Sequence, residues 1–256
     1  LYYSKGIGVT KDSDEAIAWL EKSAEQNYVK ALNSLGKRYA KGLDIQQDFT
    51  KASKYLRKAA EQGNSSAQYN YGVLCVKGLG VEKDFDEAGK WFKKAAGEDN
   101  IDAQHALGML YLKGEGVTQD YQEAIKWFRK AAEKNHAKAQ FSLAVRFDKG
   151  DGVEQDYVEA AKWYRKSADQ NYDKAQNNLG SMYKNGFGVT QDYQEAIKLY
   201  KKSAEQNNEY AQLNLAVMYI KGLGTTRDYK EAARLFKNAA EQQFAIAEFN
   251  IGVMYD

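Results

Sequence analysis

The 256-residue chain carries 37 lysines and arginines against 35 aspartates and glutamates, a net charge of +2, with no proline and one cysteine. Near-neutrality argues against a protein built to grip nucleic acid, which shows a larger basic excess. A lone Cys75 excludes an internal disulfide framework, two histidines (His105, His136) make a structural zinc site unexpected, and no apolar run approaches a membrane span.

The abundance of Ala, Glu, Lys, Gln and Leu predicts an all-α protein. Leu1 falls inside a pattern, and Asp256 ends inside another copy of it. The chain is therefore expected to be one repeat array over 1–256, about seven repeats, cut within a first helix at both ends. Alanine recurs every 36 residues at Ala31, Ala67, Ala103, Ala139, Ala175, Ala211 and Ala247. Five residues after each stands Gly36, Gly72, Gly108, Ala144, Gly180, Ala216 or Gly252. An aromatic follows at Tyr39, Tyr111, Phe147, Tyr183, Tyr219 and Tyr255, with Cys75 breaking the series. A fixed period of this size marks a solenoid, in which each unit buries its apolar face against its neighbours.

Within the unit, Ala103, Leu107, Gly108 and Tyr111 share one side of a first helix. It ends at Gly114-Glu115-Gly116, where glycines permit positive φ. The second helix opens at an aspartate: Asp12, Asp48, Asp84, Asp120, Asp156, Asp192 or Asp228. Three residues on, glutamate stands in six of seven copies, with Lys51 the departure. This spacing predicts a capping box, the aspartate accepting from first-turn amides. Ala124, Trp127, Phe128 and Ala131 form the buried stripe. The helix stops near Asn135 and its equivalents Asn27, Gly63, Asn171 and Asn207, residues suited to a left-handed cap. Asp44 and Ile45 replace the second turn glycine and the valine in one unit, and Gly97-Glu98-Asp99 alters one helix end.

The pattern A-x3-L-G-x2-Y-x2-G-x-G-V-x2-D-Y-x2-A-x2-W-F-x-K-A-A-E resembles the Sel-1-like repeats, relatives of the tetratricopeptide repeats, over the whole chain. The tetratricopeptide pattern itself has a period of about 34 and a proline after the second helix, and this chain has neither. The resemblance implies a right-handed α-solenoid of helix-turn-helix repeats. It also implies a protein-interaction scaffold, with no cofactor, whose first helices line a concave face.

On that face the repeat leaves two sets of positions unfixed. One is Asn33, Tyr69, His105, Phe141, Asn177, Leu213 and Phe249. The other, one turn on, is Lys37, Val73, Met109, Val145, Ser181, Val217 and Val253. Both are apolar from Tyr69 through Val145 and again from Leu213, which suggests an interaction strip. The alternative is that they are covered by neighbouring first helices. Lysines close the first helices at Lys5, Lys41, Lys77, Lys113, Lys149 and Lys221, complementing the helix dipole or flanking the groove.

The repeated acids are read as caps, not as catalytic pairs. The glycine turns lack the strand and the Lys-Ser/Thr of a phosphate loop. No catalytic, cofactor or metal residue is assigned. The expected partner is a protein or peptide, without nucleic acid or membrane insertion, and the chain is expected to be a monomer, with end-to-end association as the alternative. Two other activities remain open. One is cell-wall or lactam hydrolysis, as proposed for cysteine-rich relatives; the other is polyanion binding through the lysine line. The resemblance also favours export to the periplasm, the envelope or a host over a purely cytoplasmic site.

Overall fold

The computed structural model describes residues 12–255, without the side chains of Met254 and Tyr255. Lys5, and the first-helix assignments at Leu1 and Asp256, lie outside the described residues. Fourteen helices and no strand occur among those described. The first helices are α2 (Val29–Lys41), α4 (Ser65–Lys77), α6 (Ile101–Lys113), α8 (Ala137–Lys149), α10 (Asp173–Asn185), α12 (Glu209–Lys221) and α14 (Ala245–Tyr255). The second helices are α1 (Ser13–Glu25), α3 (Phe49–Glu61), α5 (Phe85–Gly97), α7 (Tyr121–Glu133), α9 (Tyr157–Asp169), α11 (Tyr193–Ala204) and α13 (Tyr229–Ala240). The chain divides into two compact units, Leu1–Lys130 and Ala131–Asp256.

Each second helix starts where an aspartate turns the backbone extended. Asp84 has φ −145° and accepts from the Glu87 amide at 2.9 Å, and Asp156 and Asp228 do the same. The other half of a capping box takes a different form. The aspartate's own N–H donates to a first-helix carbonyl nine residues earlier, as Asp84 N does to Cys75 O and Asp192 N to Tyr183 O. The glutamate is thereby released for other work. Glu87 and Glu159 accept from the indoles of Trp91 and Trp163 at 2.7 and 2.8 Å, while Glu195 and Glu231 pair with Lys198 and Arg234 one turn on.

First helices are capped more variably. Asn64, Asn100 and Asn208 accept from the third amide, and His136 does so through Nδ1 at 3.2 Å. Tyr28 and Tyr172 hold the same position without a side-chain cap. The helices end in left-handed glycines, Gly186 at φ +75° for example, with Phe187 N reaching back to Met182 O as in a Schellman turn. At the second-helix ends Asn27, Gly63, Asn135, Asn171 and Asn207 all have positive φ, and Asp99 and Gln243 share that conformation.

The second turn glycine answers to two constraints. Gly188 has φ +65°, and a Cβ there would stand 2.0 Å from Tyr157 O in the preceding repeat. Backbone packs on backbone at this point. Inside the first helices a similar closeness joins the two helices of one repeat, since a Cβ on Gly72 would meet the Phe92 ring at 2.6 Å. The core of the N-terminal unit is made of such contacts among Leu35, Leu56, Tyr71, Phe92 and Leu107. In the C-terminal unit Tyr200, Leu215, Met218 and Phe236 play the same part.

A row of buried glutamines ties the repeats together. Gln68, Gln104, Gln140, Gln176 and Gln212 are at most 5% exposed, and each donates to a carbonyl eight residues earlier. In the C-terminal unit the end of the second helix of the same repeat completes them: Gln170, Gln206 and Gln242 donate to Gln140, Gln176 and Gln212 at 2.7, 2.8 and 3.0 Å.

Candidate functional site

Every free first-helix position from Asn33 to Val217 is half-buried. Neighbouring helices cover these side chains in part, and the remainder is accessible. At the last first helix, Phe249 and Val253 are exposed by 71% and 57%.

In the N-terminal unit the face is mostly apolar. Tyr69 tilts against Phe92 at 5.8 Å, and His105 against Phe128 at 5.6 Å, so each ring lies over the second helix of its own repeat. Val73 and Met109 continue the strip one turn on. Burial, then the charge of Asp102, raises the Tyr69 phenol pKa and keeps it neutral. Asn33 and Lys37 begin the row with polar groups, and Asn33 Oδ1 is buried without a hydrogen bond. Lys77 and Lys113 are exposed at the helix ends, Lys113 lying 3.7 Å from Glu115.

The C-terminal unit differs in kind. Where Phe92 and Phe128 form the floor in the first unit, Tyr164 and Tyr200 stand here, both fully buried along the ring. The Tyr164 hydroxyl donates to Asp148 Oδ2 at 3.0 Å and accepts from Asn178 Nδ2 at 3.0 Å. Asn178 Oδ1 accepts from Asn177 Nδ2 at 3.1 Å, and Asn177 Oδ1 from Asn214 Nδ2 at 3.0 Å. A carboxylate can only accept, so Asp148 sets the direction of the whole chain. Burial raises the Tyr164 pKa, and the Asp148 charge raises it further, which keeps the proton on the donor. Ser181 pairs with the Tyr200 hydroxyl at 3.0 Å, and burial lifts that phenol to about 12.

Above this network lies a cavity of about 430 Å³, lined by Phe141, Asn177 and Asn178 together with Lys174, Glu209 and Tyr210. Phe141 packs on Tyr164 and edge-on to Tyr172 at 5.3 Å, and Tyr210 on Phe244 at 5.0 Å. Val145, Leu213 and Val217 are half-buried on the same helices, and Lys149 is exposed. Burial, then repulsion from Lys221, lowers the Lys184 pKa.

Sequence reasoning named Phe141, Asn177 and Ser181 but missed Tyr164, Tyr200, Asn178, Asn214, Lys174 and Tyr210. The available signal was the change from Phe to Tyr at one core position, coincident with asparagines on the adjoining first helices. The repeated aspartates and glutamates are engaged in caps, indole contacts and i,i+3 pairs. Cys75 is buried, and desolvation pushes its thiol to about 11. Among the described residues no group of three or more His, Cys, Asp or Glu could hold a metal, and no helix is long and apolar enough to cross a membrane.

The Sel1 repeat model matches residues 1–28, 29–64, 65–100, 101–136, 137–172, 173–208 and 209–244. The chain is similar to c5321, a protective antigen of uropathogenic Escherichia coli displaying an SLR fold, at 37% identity and a TM-score of 0.88. That match covers 100% of this chain and 55% of the antigen, so the chain spans about half the antigen's length. It is also similar to a Sel1 repeat protein from Oxalobacter formigenes, at 35% identity and a TM-score of 0.84, over 90% of this chain and 94% of the other. Among curated proteins, none matches the chain. Seven matched repeats and the likeness to both solved structures lead to one conclusion: the chain is an α-solenoid that belongs to the Sel1 repeat proteins, a family generally made of protein-interaction scaffolds.

Proposed function

We propose that the chain is a non-enzymatic scaffold that binds protein segments on the face formed by its first helices. One observation carries this reading. The polar groups repeated in every unit are engaged in holding the fold, whereas the first-helix positions that differ between repeats are half-accessible and differ in chemistry between the units. Tyr69, Val73, His105 and Met109 suit apolar side chains of a partner, and Asn177, Asn178 and Ser181 suit polar ones. Lys77, Lys113 and Lys149 flank the helix ends and add weak contacts, each worth well under about 1 kcal/mol. Affinity then comes from several modest sites on a preformed surface. The likeness to a protective antigen supports a role in the cell envelope or towards a host.

The test is partner capture by the native chain and by a Met109→Glu, Phe141→Glu double variant, with Lys162→Glu on a second helix as control. Loss of the partner in the double variant alone is expected. A folded double variant that retains its partner overturns the assignment of the binding face.

A further inference from the structure

We infer that the cavity over Asn177 and Asn178 binds the uncharged main chain of an extended peptide, with an apolar side chain lodged beside Phe141 and Tyr210. This deepens the scaffold reading and rests on it. Two asparagine side chains keep hydrogen-bond capacity after the fold is satisfied. A side-chain amide has two N–H groups and two oxygen lone pairs. Asn177 uses one N–H on Asn178 and one lone pair on Asn214; Asn178 uses one N–H on Tyr164 and one lone pair on Asn177. Each amide therefore retains one donor and one acceptor, the complement of a peptide N–H and C=O.

Because Asp148 anchors the direction of the network, the amides are oriented before any ligand arrives, which lowers the ordering cost of binding. Charge points the same way. Lys174 and Glu209 both line the cavity, so it offers no net charge to a carboxylate or a phosphate. A sugar also carries paired donors and acceptors, and pyranose recognition uses an open aromatic face. Phe141 is closed off by Tyr164 and Tyr172 and offers an apolar wall. Tyr210, by contrast, is 52% exposed and meets Phe244 edge-on, so a chitotriose arm in the test separates a sugar from a peptide. The volume, about 430 Å³, lies in the range of about 300–1,000 Å³ usual for binding sites.

The experiment titrates the 15N-labelled chain with acetyl-Gly-Ser-Phe-Ser-Gly-amide and follows the side-chain amide signals of Asn177 and Asn178. Versions with Glu or Lys in place of Phe, and chitotriose, are run beside it. Saturable shifts are expected with the Phe peptide, at least about fivefold tighter than with either charged version. Affinity should be nearly independent of salt. Asn177→Asp, which replaces both N–H groups, the unused one and the one that meets Asn178, by an acceptor oxygen, should weaken binding about tenfold. Lys174→Gln should change it less than about twofold. Absence of saturable shifts, a preference for a charged peptide, or tighter binding of chitotriose overturns the proposal. If partner capture still depends on Met109 and Phe141 while Asn177→Asp has no effect, the scaffold reading stands and this inference alone falls.

Discussion

Gln68 is buried, yet its Oε1 has no hydrogen bond. The cause lies thirty residues on. In the C-terminal unit the equivalent oxygens receive an amide N–H from Gln170, Gln206 or Gln242, at 2.7 to 3.0 Å. The residue in that place after Gln68 is Glu98, whose carboxylate has no hydrogen to give. Glu98→Gln should supply the missing donor. An intramolecular hydrogen bond contributes about 1 kcal/mol net, and relieving a buried unsatisfied oxygen about 1–3 kcal/mol. Removing a negative charge from the C-terminal end of α5 adds a few tenths through the helix dipole, about 0.3–1 kcal/mol at most. Glu98→Met removes the charge without adding a donor, so the difference between the two variants isolates the bond. Thermal melts followed by circular dichroism should place Glu98→Gln about 2–4 °C above Glu98→Met. In the other direction, Gln170→Met should cost about 1–3 kcal/mol in urea denaturation by stripping Gln140 of its donor. Equal melting of Glu98→Gln and Glu98→Met would refute the reasoning.

Three further outcomes are expected. Gly188→Ala should destabilise more than Gly186→Ala in urea denaturation: both have positive φ and lose about 1–2 kcal/mol, but only the first drives a Cβ into Tyr157 O. Similar losses would remove the close backbone approach from the account. Cys75, buried and with its thiol at about 11, should react with Ellman's reagent at pH 8 only after denaturation; full reaction in the native protein would contradict its burial. Tyr39 and Tyr200 are both raised to about 12, chiefly by burial, so the folded state holds their protons more tightly than the unfolded chain does. Their contribution to stability is fully present below about pH 10 and falls as pH rises from about 10 to 12, which urea melts across that range will detect. A flat profile would deny the burial of these hydroxyls.

The period, the helix pairs and the aspartate caps were legible because each rests on residues a few positions apart, or on their exact recurrence. Asn27, Asn135 and Asn171 announced left-handed helix ends for the same local reason, and Asp99 and Gln243 show that the position imposes the conformation on less suited residues. Glu87 was legible only in part. Its spacing from Asp84 spells a capping box, but the Asp84 amide is taken by Cys75 O, a contact of the folded repeat. The glutamine row recurs every 36 residues in plain view, yet its meaning depends on a donor thirty positions away, past the second helix of the same repeat. Asn178 and Tyr164 were missed likewise, because a network across four helices leaves no periodic mark; Tyr for Phe at a core position was its trace.

The central claim is that function resides in the first-helix positions the repeat leaves free. A photo-crosslinking amino acid can be placed singly at positions 105, 141, 177 and 213 on first helices, and at 126, 162 and 198 on exposed faces of second helices. In cells making the protein, the account predicts partner crosslinks from the first set and none from the second. Crosslinks arising equally from 126, 162 and 198, or only from them, would contradict it.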